Sequence, residues 1–204
     1  MSRSKNGRLV TISTVTCLIK VLGEEGLACF YRMKLFHCKP DVVAYNMIIH
    51  ALCRVGNFNK ASMKIGCRKA IRRRLFEANH LFLEMLFKGF VSDVVTYNCL
   101  IDGCCKTKQI EKALDLFEDM NKRNCVPNQI TFNSFIRYYC VVNEIDKGIE
   151  MMRRIQWMDH GVATNSSYTP IIHALCEVGR VLEATDFLFE LIAGDLSQES
   201  IHIS

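Results

Sequence analysis

Apolar residues recur along this chain at helical spacing, and the helical blocks themselves return about every 35 residues, the period of a helical-hairpin array. Between Val94 and Asn128, Val95, Cys99, Ile101 and Cys105 form one stripe. Ile110, Ala113, Leu114, Leu116, Phe117 and Met120 form a second. Residues three and four apart share a helix face, so the segment predicts two amphipathic helices, A and B. Only a few residues separate them, which makes the pair antiparallel. The next segment repeats the design. Val-Val-Thr-Tyr-Asn-Cys-Leu-Ile (Val94–Ile101) aligns with Gln-Ile-Thr-Phe-Asn-Ser-Phe-Ile (Gln129–Ile136), and Ile110–Met120 aligns with Ile145–Ile155. One hairpin cannot cover its own apolar face, whereas a stack of them can. The expected fold is all-α, a right-handed solenoid of antiparallel helix pairs. Such an array offers a long surface, which points to binding and away from catalysis.

Five repeats can be drawn. A segment 1–11 precedes a truncated first repeat, 12–41. The second spans 42–93 and is too long, with an extra stretch at 57–73 between Val43–Val55 and Leu75–Lys88. The third is 94–128 and the fourth 129–164. A partial fifth, 165–199, fades after Ile192, and a tail, 200–204, follows with no capping helix expected over Leu196–Ser204. Solenoid ends normally carry a polar cap, so the chain reads as a fragment or an incomplete product. Gly56 and Gly179 are read as closing helix A, and Pro40 and Pro127 fall at repeat boundaries. In the extra stretch Lys60, Lys64, Arg68 and Arg72 are spaced by four, and Lys69 and Arg73 add to the charge. On a helix the four form one basic ridge. The ridge is either a phosphate-attracting face or simply a solvated one, and the second reading is favoured.

Composition changes the picture little. The net charge of +5 permits an anionic partner without demanding one. No apolar run is long enough to cross a bilayer. Of eleven cysteines, Cys53, Cys105, Cys140 and Cys176 occupy one slot in successive repeats, which predicts small buried core residues, not metal ligands or disulfides. No metal or other cofactor is expected. The stretch before Glu24 holds Arg3, Lys5, Arg8 and Lys20 and no acid. That is the composition of an organellar transit peptide, or else the front of a truncated repeat.

Tyr97-Asn98, Ile101 and Cys105, followed by Glu111-Lys112-Ala113-Leu114, Leu116, Phe117 and Met120 and closed by Pro127-Asn128, resemble the pentatricopeptide repeat. Pro40-Asp41 and Tyr45-Asn46 carry the same boundary. The resemblance runs from about Ile12 to Ile192 and is similar to the pure 35-residue class of plant organelles. It implies a monomer that binds single-stranded RNA, one base per repeat. It implies base-reading pairs formed by the fifth residue of a repeat and the last: Thr16 with Asp41, Asn46 with Asp93, Asn98 with Asn128, and Asn133 with Thr164 or Asn165. Thr169 is the fifth residue of the last repeat. Val43, Val95 and Ile130 are implied to pack against base faces, and Ser13 and Ser166 depart from that pattern. Apart from the resemblance, Arg54 and Lys106 are candidate phosphate contacts, but Val141 and Glu177 take that slot in later repeats, so any phosphate track is broken. The family's rule gives a target of G-U-pyrimidine-pyrimidine, and the implied setting is the mitochondrion or the chloroplast.

Other readings stay open at this point. Asp41, Asp93 and Asn128 also suit helix N-caps. Tyr45, Tyr97, Phe132 and Tyr168 share a slot and are expected to pack between helices, not to stack on bases. His50 and His173 read as surface or packing residues, and Trp157 as packing on helix B. A protein-binding scaffold of tetratricopeptide type is the alternative function, although repeated Asn and Asp along one face favours RNA. Nothing in the chain marks an enzyme.

Overall fold

The structure, a computed structural model, describes residues 24–35, 39–54, 65–157 and 163–201. Ser13, Thr16 and residues 57–64 of the extra stretch lie outside the described residues. The described residues form helices α1 (Glu24–Leu35), α2 (Val42–Arg54), α3 (Ile65–Phe87), α4 (Val94–Lys106), α5 (Ile110–Lys122), α6 (Gln129–Val141), α7 (Ile145–Gln156), α8 (Asn165–Glu177) and α9 (Val181–Ile201), with no strand among them. They fall into two compact blocks, Met1–Cys125 and Val126–Ser204. In the first, α2 pairs with α3 and α4 with α5, α2 lies beside α4, and α1 and α3 each pack on the following helix A. In the second, α6 pairs with α7 and α8 with α9, α6 lies beside α8, and α7 packs on α8. Within each block, A helices therefore stand next to A helices.

The stripes read from the sequence are buried only in part: Ile101, Cys105, Ala113 and Met120 are buried, Cys99, Ile110, Leu114, Leu116 and Phe117 are half-buried, and Val95 is exposed. Ala44, Tyr45, Ile48, Ile49 and Leu52 of α2 meet a core that includes Leu75, Leu81, Phe82 and Met85 of α3 and Leu100, Ile101 and Cys104 of α4. In the second block Phe135, Ile136, Met152, Ile155, Ile171 and Leu175 do the same. Each fully buried aliphatic or aromatic side chain contributes roughly 1.5–3 kcal/mol.

One turn design closes five helices. Lys108, Asn143 and Gly179 follow α4, α6 and α8, and Gly89 and Asn124 follow α3 and α5, all with positive φ between 56° and 80°. At each, the N–H of the left-handed residue and of the next one return to the helix just ended. The pairs Lys108 N–H to Cys105 O and Gln109 N–H to Cys104 O are repeated by Asn143 with Glu144, Gly179 with Arg180, Gly89 with Phe90, and Asn124 with Cys125. This is the Schellman arrangement, which satisfies the last free carbonyls and reverses the chain in a few residues. Lys108 adopts it at the steric cost of its Cβ.

A second recurrent device crosses each hairpin. Tyr45 Oη donates to Glu84 (2.8 Å) and Tyr97 Oη to Asp119 (2.6 Å), each on the partner helix B. Tyr168 stands in the same slot, near Glu190 and accepting from Gln156 (3.1 Å). The repeat with Phe132 lacks the hydroxyl, and Arg154 replaces the carboxylate. The aromatic slot is buried throughout, as packing residues require. Glu84 also takes Lys34 (2.6 Å) and Lys88 (2.8 Å). Burial alone works to raise the Glu84 carboxyl, but the hydrogen bonds from Lys34, Lys88 and Tyr45 outweigh it and hold it at about 2.

Four expectations are corrected. Residues 65–73 of the extra stretch are the first turns of α3, which reaches 23 residues against 13 for α5, because no proline interrupts it. Lys69, Arg72 and Arg73 on it are exposed. The final helix does not fade after Ile192 but continues to Ile201, a lone Gly194 being tolerated. Trp157 does not pack on helix B: it caps α7 and is 87% exposed. Of the recurrent cysteines, Cys105 is buried, Cys53 and Cys140 are half-buried, and Cys176 is exposed.

Replacing Lys108→Gly removes the Cβ penalty of the left-handed turn and is expected to stabilise the chain by about 0.5–1 kcal/mol, read as a raised denaturation midpoint. Glu84 is depressed in the folded state, so its contribution is present above the ordinary value of 4.5 and is lost as pH falls toward about 2. Wild-type and Glu84→Gln melting temperatures, measured against pH, should therefore differ at neutrality and converge between those values.

Candidate functional site

The starts of the A helices carry the candidate residues. In each, the first turn exposes a residue that the hairpin does not need for its core. Val43, Val95 and Ile130 are 49%, 52% and 59% exposed, while the apolar residues one and two turns later are buried. Each of these three is a β-branched aliphatic at the same position of its own repeat, left open to solvent, Val43 and Val95 in the first block and Ile130 in the second. Ser166 takes the same position on α8 and is also exposed.

Three residues further on lie Asn46, Asn98 and Asn133. Asn46 is half-buried and the other two are buried, so each amide sits at the floor beside its apolar step. The loop residues before the helices do two jobs. Asp41 Oδ1 accepts from Ala44 N–H (2.8 Å) and Asp93 Oδ1 from Thr96 N–H (2.7 Å). Asn128 accepts from Ile130 and Thr131 N–H and completes a capping box with the Thr131 hydroxyl. The capping reading of these three residues therefore holds. It does not displace the other one. Asp93 caps with one carboxylate oxygen and accepts Asn46 Nδ2 with the other (3.0 Å). The fifth residue of the second repeat and the last residue are thus in direct contact.

The fourth repeat is wired differently. Asn133 Oδ1 accepts a buried hydrogen bond from Ser167 Oγ (2.7 Å). Thr164 makes no cap and instead accepts from Gln129 Nε2 (2.8 Å). Asn165 and Thr169 are exposed on α8. Asn98 lies in the first block and Asn128 in the second, each placed within its own block. Asp41 is described without its partner Thr16.

Several polar atoms near these residues are shut off from solvent with no partner: Asn46 Oδ1, His50 Nε2, Ser92 Oγ and Thr96 Oγ1. A buried acceptor without a donor costs roughly 1–3 kcal/mol. Asn46 and His50 lie on α2, Thr96 on α4 and Ser92 just before α4. Arg54 and Lys106 end α2 and α4 and are exposed, Lys106 bonded to Asp102 (2.6 Å). Burial pushes Cys99, Cys104 and Cys140 up to about 11, far from the reactive thiolate. Among the described residues no cluster of His, Cys, Asp and Glu is arranged to hold a metal, and no helix is long and apolar enough to cross a membrane.

Sequence reasoning missed Ser167 and the Tyr–carboxylate crossing. The signal for the crossing was present: Glu84, Asp119 and Glu190 follow the repeat, and the acid disappears where Phe132 replaces tyrosine.

Known proteins with this pattern share its name. Family models described as PPR repeats match residues 36–63, 92–141, 130–160 and 166–195, together more than half of the chain. A pentatricopeptide repeat-containing protein of Arabidopsis thaliana is 57% identical over 233 residues, covering 96% of this chain and 51% of that protein. A second from the same plant is 29% identical over 108 residues and is covered for 20% of its length. The chain thus spans about half or less of the relatives it matches. Among solved structures, the maize pentatricopeptide repeat protein PPR10 aligns with a TM-score of 0.60 at 21% identity, over 92% of this chain and 29% of that one. A complex of PPR10 with an 18-nt psaJ RNA element aligns at 0.57 and 21% identity, over 90% of this chain and 30% of that one. The PPR domain of Arabidopsis thaliana protein-only RNase P 1, in complex with tRNA, aligns at 0.65 and 11% identity, over 95% of both chains. With its repeats matched along most of their length, its hairpins formed and the fold shared, this chain belongs to the pentatricopeptide repeat family.

Proposed function

We propose that the chain binds single-stranded RNA along the starts of its A helices, one base per repeat. The observation that carries this is the recurrence of an exposed aliphatic at Val43, Val95 and Ile130, each followed three residues later by an asparagine. An aliphatic step supports the face of a base, and a carboxamide offers both a donor and an acceptor to its edge. The direct Asn46–Asp93 bond couples the two readers of one repeat. Two fold-mates are solved in complex with RNA, which supports the same class of partner here. Thr16 with Asp41 reads G, Asn46 with Asp93 reads U, and Asn98 with Asn128 and Asn133 with Thr164 read pyrimidines. Arg54 and Lys106 lie at the far ends of the A helices, where they serve the phosphates. The mild positive charge limits the sequence-independent part of binding, so base contacts at roughly 1–3 kcal/mol each set the affinity.

The role is recognition without a chemical step, within organellar RNA metabolism such as processing, stability, splicing or translation. The acid-free, basic stretch before Glu24 supports the mitochondrion, or alternatively the chloroplast, as the site of action.

In a gel-shift titration, RNA containing G-U-C-C or G-U-U-U should be retarded more strongly than A-A-A-A. Val95→Asp puts a charge under a base face and is expected to weaken binding about tenfold or more, at about 1–3 kcal/mol per stacked base. Asn98→Thr should move the third position toward purine. Equal binding of all four homopolymers, unchanged by either substitution, would refute base reading.

A further inference from the structure

We infer that Ser167 makes the fourth repeat select cytosine over uracil, by fixing which side of the Asn133 amide faces the base; this rests on the RNA reading proposed above. An asparagine at the reading position is ambiguous in itself, because its amide carries an acceptor and a donor of nearly the same shape. What removes the ambiguity is whatever holds the other half.

In the fourth repeat the carbonyl half is held. Ser167 Oγ, fully buried, donates to Asn133 Oδ1 at 2.7 Å. The direction of that bond is set from behind. Gln129 Nε2 approaches the same Ser167 oxygen at 3.4 Å, and an amide N–H only donates. The serine proton is therefore directed to the other side, onto Asn133. Gln129 also donates to Thr164 Oγ1 at 2.8 Å, which holds the Gln129 amide with its N–H side toward both hydroxyls. The Nδ2 hydrogens of Asn133 have no partner among the described residues and are the part of the amide left for a ligand.

The second repeat shows the same slots in the opposite state. Thr96 stands where Ser167 stands, two residues past the start of the next helix A, and Asn46 where Asn133 stands. Here Asp93, which is acceptor-only, takes Asn46 Nδ2 at 3.0 Å. Asn46 Oδ1 and Thr96 Oγ1, the counterparts of the two bonded atoms in the fourth repeat, are both without a partner. One asparagine engages its amino group and the other its carbonyl.

Cytosine and uracil differ at ring nitrogen N3, which accepts in cytosine and donates in uracil. An amide presenting N–H complements cytosine N3 and opposes uracil N3–H. Uracil keeps its two carbonyl oxygens as acceptors, so the expected discrimination is one hydrogen bond's worth, about fivefold. The second repeat, holding an unspent carbonyl, takes the base that donates.

The test is fluorescence anisotropy with the whole chain and two otherwise identical unstructured RNAs, one carrying G-U-U-C and the other G-U-U-U. Wild type is expected to bind the first about fivefold more tightly. Ser167→Ala frees the Asn133 amide to turn and should bring the ratio close to one, whereas Ser167→Thr, which keeps the hydroxyl, should preserve it. Asn133→Asp offers only acceptors and should reverse the preference, a result independent of whether Ser167→Ala folds. A wild-type preference for uracil, a ratio untouched by Ser167→Ala, or retained cytosine preference in Asn133→Asp overturns the inference. Binding of both RNAs without discrimination removes this inference alone, and failure to bind either RNA removes the RNA reading with it.

Discussion

A hairpin of two 13-residue helices leaves an apolar face that only another hairpin can cover. The rest of the structure follows from that constraint. Within each block it holds neighbouring repeats in one register, because a shift would drive Tyr45, Ile49 and their counterparts out of the core. In the first block that register places the second residues of the A helices, Val43 and Val95, at equivalent points. The five identical left-handed turns keep each reversal short enough for this to hold.

The site is built from groups that already serve the fold. Asp93 caps α4 with one oxygen and positions Asn46 with the other. Asn128 closes a capping box at the start of α6. A residue that must cap a helix is held in a fixed place, and rigidity at the loop position is what a reading residue requires. Capping and reading are therefore compatible uses of one side chain, and the cap explains why Asp and Asn stand there in any case.

Much of the fold was legible because the period is carried by large apolar residues with a helical spacing. Ile101, Cys105, Ala113 and Met120 of the two stripes became buried, and the aromatic slot became interior packing. The misjudged parts are those where the period is weak. Helix α3 absorbs residues 65–73 since nothing there breaks a helix, and α9 continues past Ile192 for the same reason. Trp157 was expected to pack on helix B, but it stands at the end of α7 and is exposed. The candidate readers were visible as a recurrent asparagine. Their hydrogen-bond polarity was not, since it depends on contacts 34 and 47 residues away, Ser167 with Asn133 and Asp93 with Asn46.

The central claim is that the nucleic-acid face lies at the starts of the A helices. Photo-crosslinking of the whole chain to a 4-thiouridine-bearing single strand, followed by peptide mapping, tests it most directly. The account predicts adducts in the first turns of α2, α4 and α6, around Val43, Val95 and Ile130. Adducts confined to the B helices α3, α5 and α7 would contradict it.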